Sequence, residues 1–186
     1  MKYDVVTIGD AMKDLFVFPA LDEMKSISKN QEEFLVLGYG DKITITQSYE
    51  DIGGTACNVA VGLRKLGLKT SIISACGQDF FGTEIRQKLK DAKVDTSNIL
   101  TKRNRKTSFS VIISYKGDRS ILVYHSFENQ DFVIDKNLQT EWLYIGPMGE
   151  DYQSLFASVT GLAAEKNIKI AFNPGAVQIH DGISAF

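Results

Sequence analysis

Hydrophobic and polar positions follow two different patterns along the chain. Residues 4–8 and 70–76 are short runs rich in apolar and β-branched side chains, which is typical of strands buried on both faces of a parallel sheet. Residues 42–49 and 108–115 alternate apolar with polar positions instead, as strands with one covered face do. The patterns therefore predict a parallel sheet together with a small antiparallel sheet.

Helical periods separate the buried strands. Residues 55–66 place their apolar side chains on one helical face, and Gly67 is a fitting stop. Asp79 stands before a second helical period and is expected to cap that helix. A third helix is predicted over residues 152–165. Helices that alternate with apolar strands indicate an α/β fold, with further strands expected at 142–145 and 169–172.

The remaining segments are less regular. Residues 15–18 predict a strand of the antiparallel sheet, and residues 108–125 predict a β-hairpin that turns at 116–119. Residues 20–38 show no clear period, so we expect a loop or a short helix there. Residues 176–186 look like the start of another structural unit with no partner strand after it, and we therefore expect a truncated chain.

Composition narrows the class of protein. The chain has 186 residues, which favours one domain, and a net charge of −2, which does not favour a nucleic-acid or membrane partner. The apolar stretch near the N-terminus covers only residues 5–8, too few for a signal peptide or a membrane span. Cys57 and Cys76 form no disulfide framework, and a reducing cytoplasm is the expected location.

Two glycines followed by an asparagine form the strongest candidate binding motif. Gly53 and Gly54 allow the backbone to approach a ligand closely, and Asn58 lies in the first turn of the predicted helix. The N–H groups at a helix start lack intrahelical partners, and the Asn58 amide can both donate and accept hydrogen bonds. The motif suits a polyhydroxylated ligand. A strand-to-helix turn without a ligand explains the same residues.

A second candidate follows the first predicted strand. Asp10 and Asp14 belong to the sequence Gly-Asp-x-x-x-Asp that begins at Gly9. In open α/β sheets, ligands bind at the carboxyl ends of the strands, and a carboxylate there can accept hydrogen bonds from sugar hydroxyls. An aspartate that merely caps a turn is the alternative.

Other binding motifs are missing from the sequence. It contains neither the Gly-x-Gly-x-x-Gly of a dinucleotide site nor a Walker A sequence, so a dehydrogenase is disfavoured. His125 and His180 have no ligand-type neighbours in the sequence, and no metal site is expected. The basic run at residues 102–106 predicts a solvated loop, with a phosphate contact as the lesser alternative.

The order of these motifs resembles the ribokinase-like, or PfkB, family of carbohydrate kinases. The resemblance begins at Gly9 and continues through the Gly53-Gly54 block with Asn58. It extends to Gly-x-Asp-x-x-Gly at residues 77–82 and to the hairpin that ends at residues 119–124. It implies a Rossmann-like α/β fold with flanking helices, here incomplete, which carries a small antiparallel β-sheet lid. Residues 1–186 would be the N-terminal part of that domain, with lid strands within about 14–50 and 107–126.

The resemblance also implies roles for particular residues. Asp14, Gly53, Gly54 and Asn58 would hold sugar hydroxyls, and Phe109 would line the pocket from the lid. Such lids often pair between subunits, which makes a homodimer plausible. The full-length family member would use ATP and Mg²⁺. The family's Gly-Ala-Gly-Asp motif, which supplies the catalytic base and the anion hole, is not present in the sequence. The resemblance therefore assigns this chain no catalytic or cofactor-binding residues.

Three functions remain open at this point. The first is an ATP-dependent sugar kinase of which this chain holds the sugar-binding half and is inactive alone. The second is a nucleoside kinase of the same family, in which lid aromatics such as Phe109 stack on a base. The third is a non-catalytic sugar-binding or assembly module. An incomplete sheet would expose apolar surface, so self-association through the sheet is also expected.

Overall fold

The computed structural model describes residues 2–182 and divides them into two compact units. The α/β unit comprises residues 2–13, 52–108 and 125–182, and the β unit comprises residues 14–51 and 109–124. The chain therefore passes between the two units four times.

The α/β unit is built on a parallel five-stranded sheet in the order β11-β10-β1-β6-β7. Its strands are β1 (Tyr3–Ile8), β6 (Thr70–Gly77), β7 (Ile99–Lys102), β10 (Thr140–Ile145) and β11 (Lys169–Phe172). Its helices are α1 (Thr55–Lys65), α2 (Phe80–Asp91), α3 (Tyr152–Lys166) and α4 (Ala176–Asp181), with a 3₁₀ turn at Asn129–Asp131.

Both faces of the parallel sheet are covered by helices. Ile73 and Ala75 of β6 pack into the hydrophobic cluster that includes α3, whereas Ile72 and Cys76 pack into the cluster that includes α1 and α2. Because successive side chains of a strand point to opposite faces, β6 is buried along its whole length, and it combines Ile, Ala and Cys with the small polar residues Thr70, Ser71 and Ser74. This confirms the α/β prediction made from the apolar runs.

Helix ends follow the predicted sequence signals. After α1, Gly67 N–H donates to the Arg64 carbonyl at 3.0 Å, and Leu68 N–H donates to the Leu63 carbonyl at 3.2 Å. These two bonds form a Schellman motif, which ends the helix at the predicted glycine. At the start of α2, the Asp79 side chain accepts a hydrogen bond from Gly82 N–H at 2.9 Å, as expected of an N-cap.

The β unit consists of a four-stranded sheet and a separate two-stranded hairpin. The sheet has the order β5-β2-β8-β9, in which β8 (Phe109–Tyr115) and β9 (Asp118–Tyr124) form the predicted hairpin. Strand β2 (Met12–Pro19) and strand β5 (Ile45–Gly53) each run across the boundary, because Met12, Lys13, Ile52 and Gly53 belong to the α/β unit. Together the sheets show the α/β fold with an additional small antiparallel sheet.

Three predictions about local structure need correction. Residues 20–38 form neither a loop nor a helix but the antiparallel hairpin of β3 (Lys25–Lys29) and β4 (Glu32–Val36). Both strands are almost wholly exposed, so their sequence carries no apolar period. Strand β5 begins three residues later than predicted and continues to Gly53. Strand β7 was missed because it is only four residues long.

The C-terminal segment begins with a short helix. Residues 176–181 form α4, and the last four residues of the segment that was predicted to start another structural unit, 183–186, lie outside the described residues. Within residues 2–182, no helix is long and apolar enough to cross a membrane.

Candidate sugar-binding site

The carboxyl ends of three parallel strands surround a cavity in the α/β unit. Its volume is about 480 Å³, and its lining includes Asp10 after β1, Pro147–Asp151 after β10, and Gly175 after β11. His125, Phe127 and Asn129 complete the wall from the segment before β10. This edge of the sheet is where open α/β folds bind ligands.

Gly54 lies against this edge of the sheet and has to be glycine. Its φ of 88° is in the left-handed region, and a Cβ built there would collide with the Asp10 carbonyl oxygen. The first turn of α1 is therefore held directly against the residue that follows β1. The Asn58 N–H donates to the Gly54 carbonyl at 3.0 Å, and the Asn58 side chain is exposed. The predicted residues Gly53, Gly54 and Asn58 thus lie together at the start of α1, and Gly54 contacts Asp10. None of the three is among the described residues that line the cavity.

Asp14 and Phe109, the other predicted site residues, belong to the β unit. They lie on the neighbouring strands β2 and β8. The Ser110 hydroxyl donates to Asp14 Oδ1 at 2.6 Å. Burial raises the pKa of Asp14, the Ser110 hydrogen bond lowers it, and the nearby Asp51 charge raises it further, so the net shift is upward. The Phe109 ring packs against Tyr124 with ring centroids 5.4 Å apart.

His125 and Asp10 form a pair that the sequence did not reveal. His125 Nδ1 lies 3.4 Å from Asp10 Oδ2. The hydrogen bond to Asp10 raises the pKa of His125 above its ordinary value, against an opposing effect of burial. The two residues are 115 positions apart, and no local signal links them. Within residues 2–182, no group of three or more His, Cys, Asp or Glu side chains is gathered as a metal site.

Two side chains of the basic run at residues 102–106 form ion pairs, so this segment is not simply the solvated loop that was predicted. Lys102 Nζ and Arg105 Nη1 each lie 2.9 Å from the buried carboxylate of Asp131. Burial alone would raise the pKa of Asp131, but the hydrogen bond from Lys102, the Glu128 backbone and the Arg105 charge outweigh it and lower the pKa. These two cations therefore neutralise a buried acid in the α/β unit.

Comparisons with known proteins show the family to which this chain belongs. The family model described as pfkB family carbohydrate kinase matches residues 17–155. A 5-dehydro-2-deoxygluconokinase from Geobacillus thermodenitrificans is 31% identical over 127 residues, which are 65% of this chain and 35% of that protein.

Solved structures show the same fold. The nucleoside kinase of Methanocaldococcus jannaschii superposes with a TM-score of 0.68 and 22% identity, covering 94% of this chain and 54% of that one. A ribokinase from Cryptococcus neoformans in complex with ADP superposes with a TM-score of 0.70 and 18% identity, covering 96% and 51%.

A parallel sheet covered by helices on both faces, with a cavity at its carboxyl edge, is the architecture of an α/β protein. The chain belongs to the pfkB family of carbohydrate kinases. It spans about half the length of the solved structures that it matches, and the aligned segment covers about a third of the first curated relative.

Proposed function

We propose that a protein containing this chain transfers phosphate from ATP to a sugar hydroxyl, and that this chain carries the sugar-binding half. One observation supports the proposal above the others. Gly54, at the start of α1, packs against the carbonyl of Asp10, and Asp10 lines the cavity, in a chain that the family model matches over residues 17–155.

Each predicted residue has its own proposed role. The exposed Asn58 amide donates to and accepts from sugar hydroxyls, and Gly53 and Gly54 allow the sugar to approach the backbone. Asp14 accepts hydroxyl hydrogen bonds, and Phe109 offers an apolar ring face. The roles of Asp14 and Phe109 rest on the family resemblance alone.

Phosphoryl transfer depends on positioning and on charge stabilisation around the phosphates. The family's Gly-Ala-Gly-Asp motif does not occur in these 186 residues. We therefore assign no step of the transfer to them, and we expect the 186-residue chain to be inactive alone. ATP and Mg²⁺ are the expected requirements of a full-length family member.

The test is a kinase assay on the protein encoded by the complete gene. ADP release is measured with ATP, Mg²⁺ and a panel of sugars, sugar acids and nucleosides. Asn58→Ala should lower kcat/KM about fivefold, because a ligand hydrogen bond is worth about 1 kcal/mol. Gln87→Ala, an exposed change on α2, is the control and should leave kcat/KM unchanged. Absence of phosphorylation across the whole panel would refute the proposal.

A nucleoside kinase is the second candidate. It is favoured by the aromatic pair Phe109–Tyr124 in the β unit, because such rings can stack on a base. The solved structure of a nucleoside kinase is also among the similar folds. Competition between ribose and adenosine separates the two kinases: adenosine should compete poorly if the substrate is a simple sugar.

A non-catalytic binding module is the third candidate for the chain itself. Calorimetry that detects sugar binding but no ATP binding by the 186 residues would favour it. Clear ATP hydrolysis by the same chain would exclude it.

We also propose a homodimer formed through the β unit. Strand β9 is an edge strand, and four successive apolar side chains on it, Ile121, Leu122, Val123 and Tyr124, are exposed. Unpaired edges with apolar side chains readily pair with another chain. The α/β unit exposes a second apolar surface, a hollow of about 400 Å³ lined by Val59, Trp142 and Tyr144, which supports self-association through the sheet. Cys57 and Cys76 are both buried thiols, which fits a cytoplasmic location.

A further inference from the structure

A fully buried lysine lies where strand β2 leaves the α/β unit. The Lys13 side chain is 0% exposed, and its Nζ donates to both carboxylate oxygens of Glu84 on α2, at 2.7 and 2.6 Å. The hydrogen bond from Lys13 lowers the pKa of Glu84 below its ordinary value, against an opposing effect of burial. The centroid of the Phe81 ring lies 6.0 Å from the same Nζ. The start of β2 is therefore joined to α2 by a charged pair inside the fold.

Stability alone does not explain a lysine at this position. Taking an ammonium group out of water is unfavourable, and an apolar side chain of similar size often stabilises a fold as well as a buried ion pair does. Two short hydrogen bonds from Lys13 to one carboxylate instead define both a distance and a direction. The property that this pair adds is a fixed geometry at the start of β2.

Helix α2 also holds the segment that leads into β8. Its cap, Asp79, accepts hydrogen bonds from the N–H and the hydroxyl of Thr107, at 2.8 and 2.6 Å. The Lys13 N–H donates to the Ser108 carbonyl at 3.0 Å, which joins the two segments to each other. Through Glu84 and Asp79, α2 therefore binds both segments at the residues where they leave the α/β unit.

The residues that follow the anchored positions include a predicted sugar ligand. Asp14 comes directly after Lys13 on β2, and its Oδ1 accepts a hydrogen bond from the Ser110 hydroxyl at 2.6 Å. Successive side chains of a strand point to opposite faces. Holding the Lys13 side chain against α2 thus also fixes the direction in which the Asp14 carboxylate leaves the backbone.

We propose that Lys13 and Glu84 are positioning residues, whose buried ion pair fixes the start of β2 so that the Asp14 carboxylate meets a sugar hydroxyl in hydrogen-bonding geometry. The inference rests on the proposed function, in particular on the role proposed for Asp14. A hydrogen bond weakens steeply as its angle and distance depart from the optimum, so a small displacement of Asp14 weakens sugar binding. The contact is made before and during phosphate transfer, so its loss raises the KM for the sugar and leaves kcat unchanged.

Steady-state kinetics on the protein encoded by the complete gene test this, with ATP, Mg²⁺ and the sugar of the panel that is phosphorylated fastest. Lys13→Met keeps a side chain of similar length without the charge; it should raise the sugar KM about fivefold and leave kcat and the KM for ATP unchanged. Glu84→Ala should raise the sugar KM by a similar factor, although it destabilises the protein more than Lys13→Met does. Lys88→Met, which removes the other cation paired with Glu84, is the matched control and should leave the sugar KM unchanged. A sugar KM that simply follows the loss of stability across these variants would mean a structural role and overturn the inference.

A double-mutant cycle tests whether Lys13 acts through Asp14. Asp14→Ala alone should raise the sugar KM about tenfold, and adding Lys13→Met to it should raise the KM by less than about twofold. Effects that multiply in the double variant contradict the positioning role. An active protein in which Lys13→Met leaves the sugar KM unchanged overturns the inference and leaves the proposed kinase activity intact. A protein that phosphorylates no member of the panel refutes the proposed function and this inference with it.

Discussion

Asp79 and Thr107 are joined by two hydrogen bonds that fix the segment leading into β8. The Thr107 N–H donates to Asp79 Oδ2 at 2.8 Å, and the Thr107 hydroxyl donates to Asp79 Oδ1 at 2.6 Å. Asp79 also caps α2 through Gly82 N–H. A Cβ at Gly82 would collide with the Gly77 carbonyl oxygen and crowd Thr107. The Gly-x-Asp-x-x-Gly sequence is thus explained by a shared packing site within the α/β unit.

Replacing Asp79 should destabilise the protein. Asp79→Ala removes the cap and both Thr107 bonds, and we expect a loss of about 2 kcal/mol in the free energy of unfolding. Asp79→Asn keeps one acceptor oxygen and should lose less. Chemical denaturation measures both. Asp91→Ala, at the exposed end of the same helix, is the control and should change stability by less than about 0.5 kcal/mol. Equal stability of Asp79→Ala and the wild type would contradict this role.

The Asp79 carboxylate should make the free energy of unfolding depend on pH. Burial alone would raise the pKa of Asp79, but the hydrogen bonds from Thr107 and Gly82 outweigh it and lower the pKa below its ordinary value. The folded state therefore favours the ionised form, so this contribution is complete above the unfolded pKa and is lost as the pH falls through the folded pKa. The difference in stability between wild type and Asp79→Asn should shrink in acid. A difference that stays constant down to the acid limit would refute this explanation.

Two glycines at the start and the middle of α1 should respond oppositely to substitution by alanine. Gly54→Ala meets both a left-handed φ of 88° and the Asp10 carbonyl, and we expect a loss of about 2 kcal/mol or more. Gly62→Ala lies in the exposed middle of the helix with open space around the new methyl group. It should stabilise the protein by about 0.5–1 kcal/mol. Thermal unfolding distinguishes the two, and a harmless Gly54→Ala would contradict the close approach to Asp10.

Lys13 and Glu84 form an ion pair, and replacing Glu84 should cost more stability than replacing Lys13. The Lys13 side chain is fully buried, and its Nζ lies 2.6 Å from Glu84 Oε2. Glu84→Ala leaves a buried ammonium without this partner and should cost about 3 kcal/mol, whereas Lys13→Met removes the buried charge and should cost less. Lys88→Met, which removes the more exposed ion pair to Glu84, is the control and should cost less than Glu84→Ala. Equal losses for Glu84→Ala and Lys13→Met would show that charge burial does not control stability here.

The proposed dimer through β9 predicts the effect of one charged substitution. Leu122 is 61% exposed on this edge strand, so Leu122→Lys should convert a dimer into a monomer with little effect on folding. Leu21→Lys, at an equally exposed site outside β9, should leave the dimer intact. Sedimentation velocity measures both variants. A monomeric wild type at the highest soluble concentration would exclude the dimer.

The fold was largely predictable because most of its elements are locally encoded. Residues close together in the sequence determine the buried strand β6, the end of α1 at Gly67 and the cap of α2 at Asp79. The β3–β4 hairpin was mispredicted because its strands are exposed and their residues carry no burial pattern. Such a strand pair is specified by its turn, where Asn30 and Gln31 both adopt positive φ. Asn favours that conformation, but the second position holds Gln instead of the Gly that usually follows Asn in a hairpin turn.

The candidate site was predictable only in part. The Gly53-Gly54 pair with Asn58 could be found because a helix start and its glycines form a local motif. His125 could not be matched with Asp10, nor Lys13 with Glu84, because these pairs are 115 and 71 positions apart and arise only from packing.

The sequence by itself determined the alternation of buried strands and helices, the family and the glycine turn at the start of α1, since all of these follow from local periodicity and from residues with special backbone freedom. The tertiary structure alone decided why Gly54 cannot carry a side chain, because the obstacle is the Asp10 carbonyl after another strand. It also decided that acidic residues from three separate loops, Asp10, Glu128 and Glu150, meet at one cavity. Distances in space between residues of different loops are not visible in the order of residues.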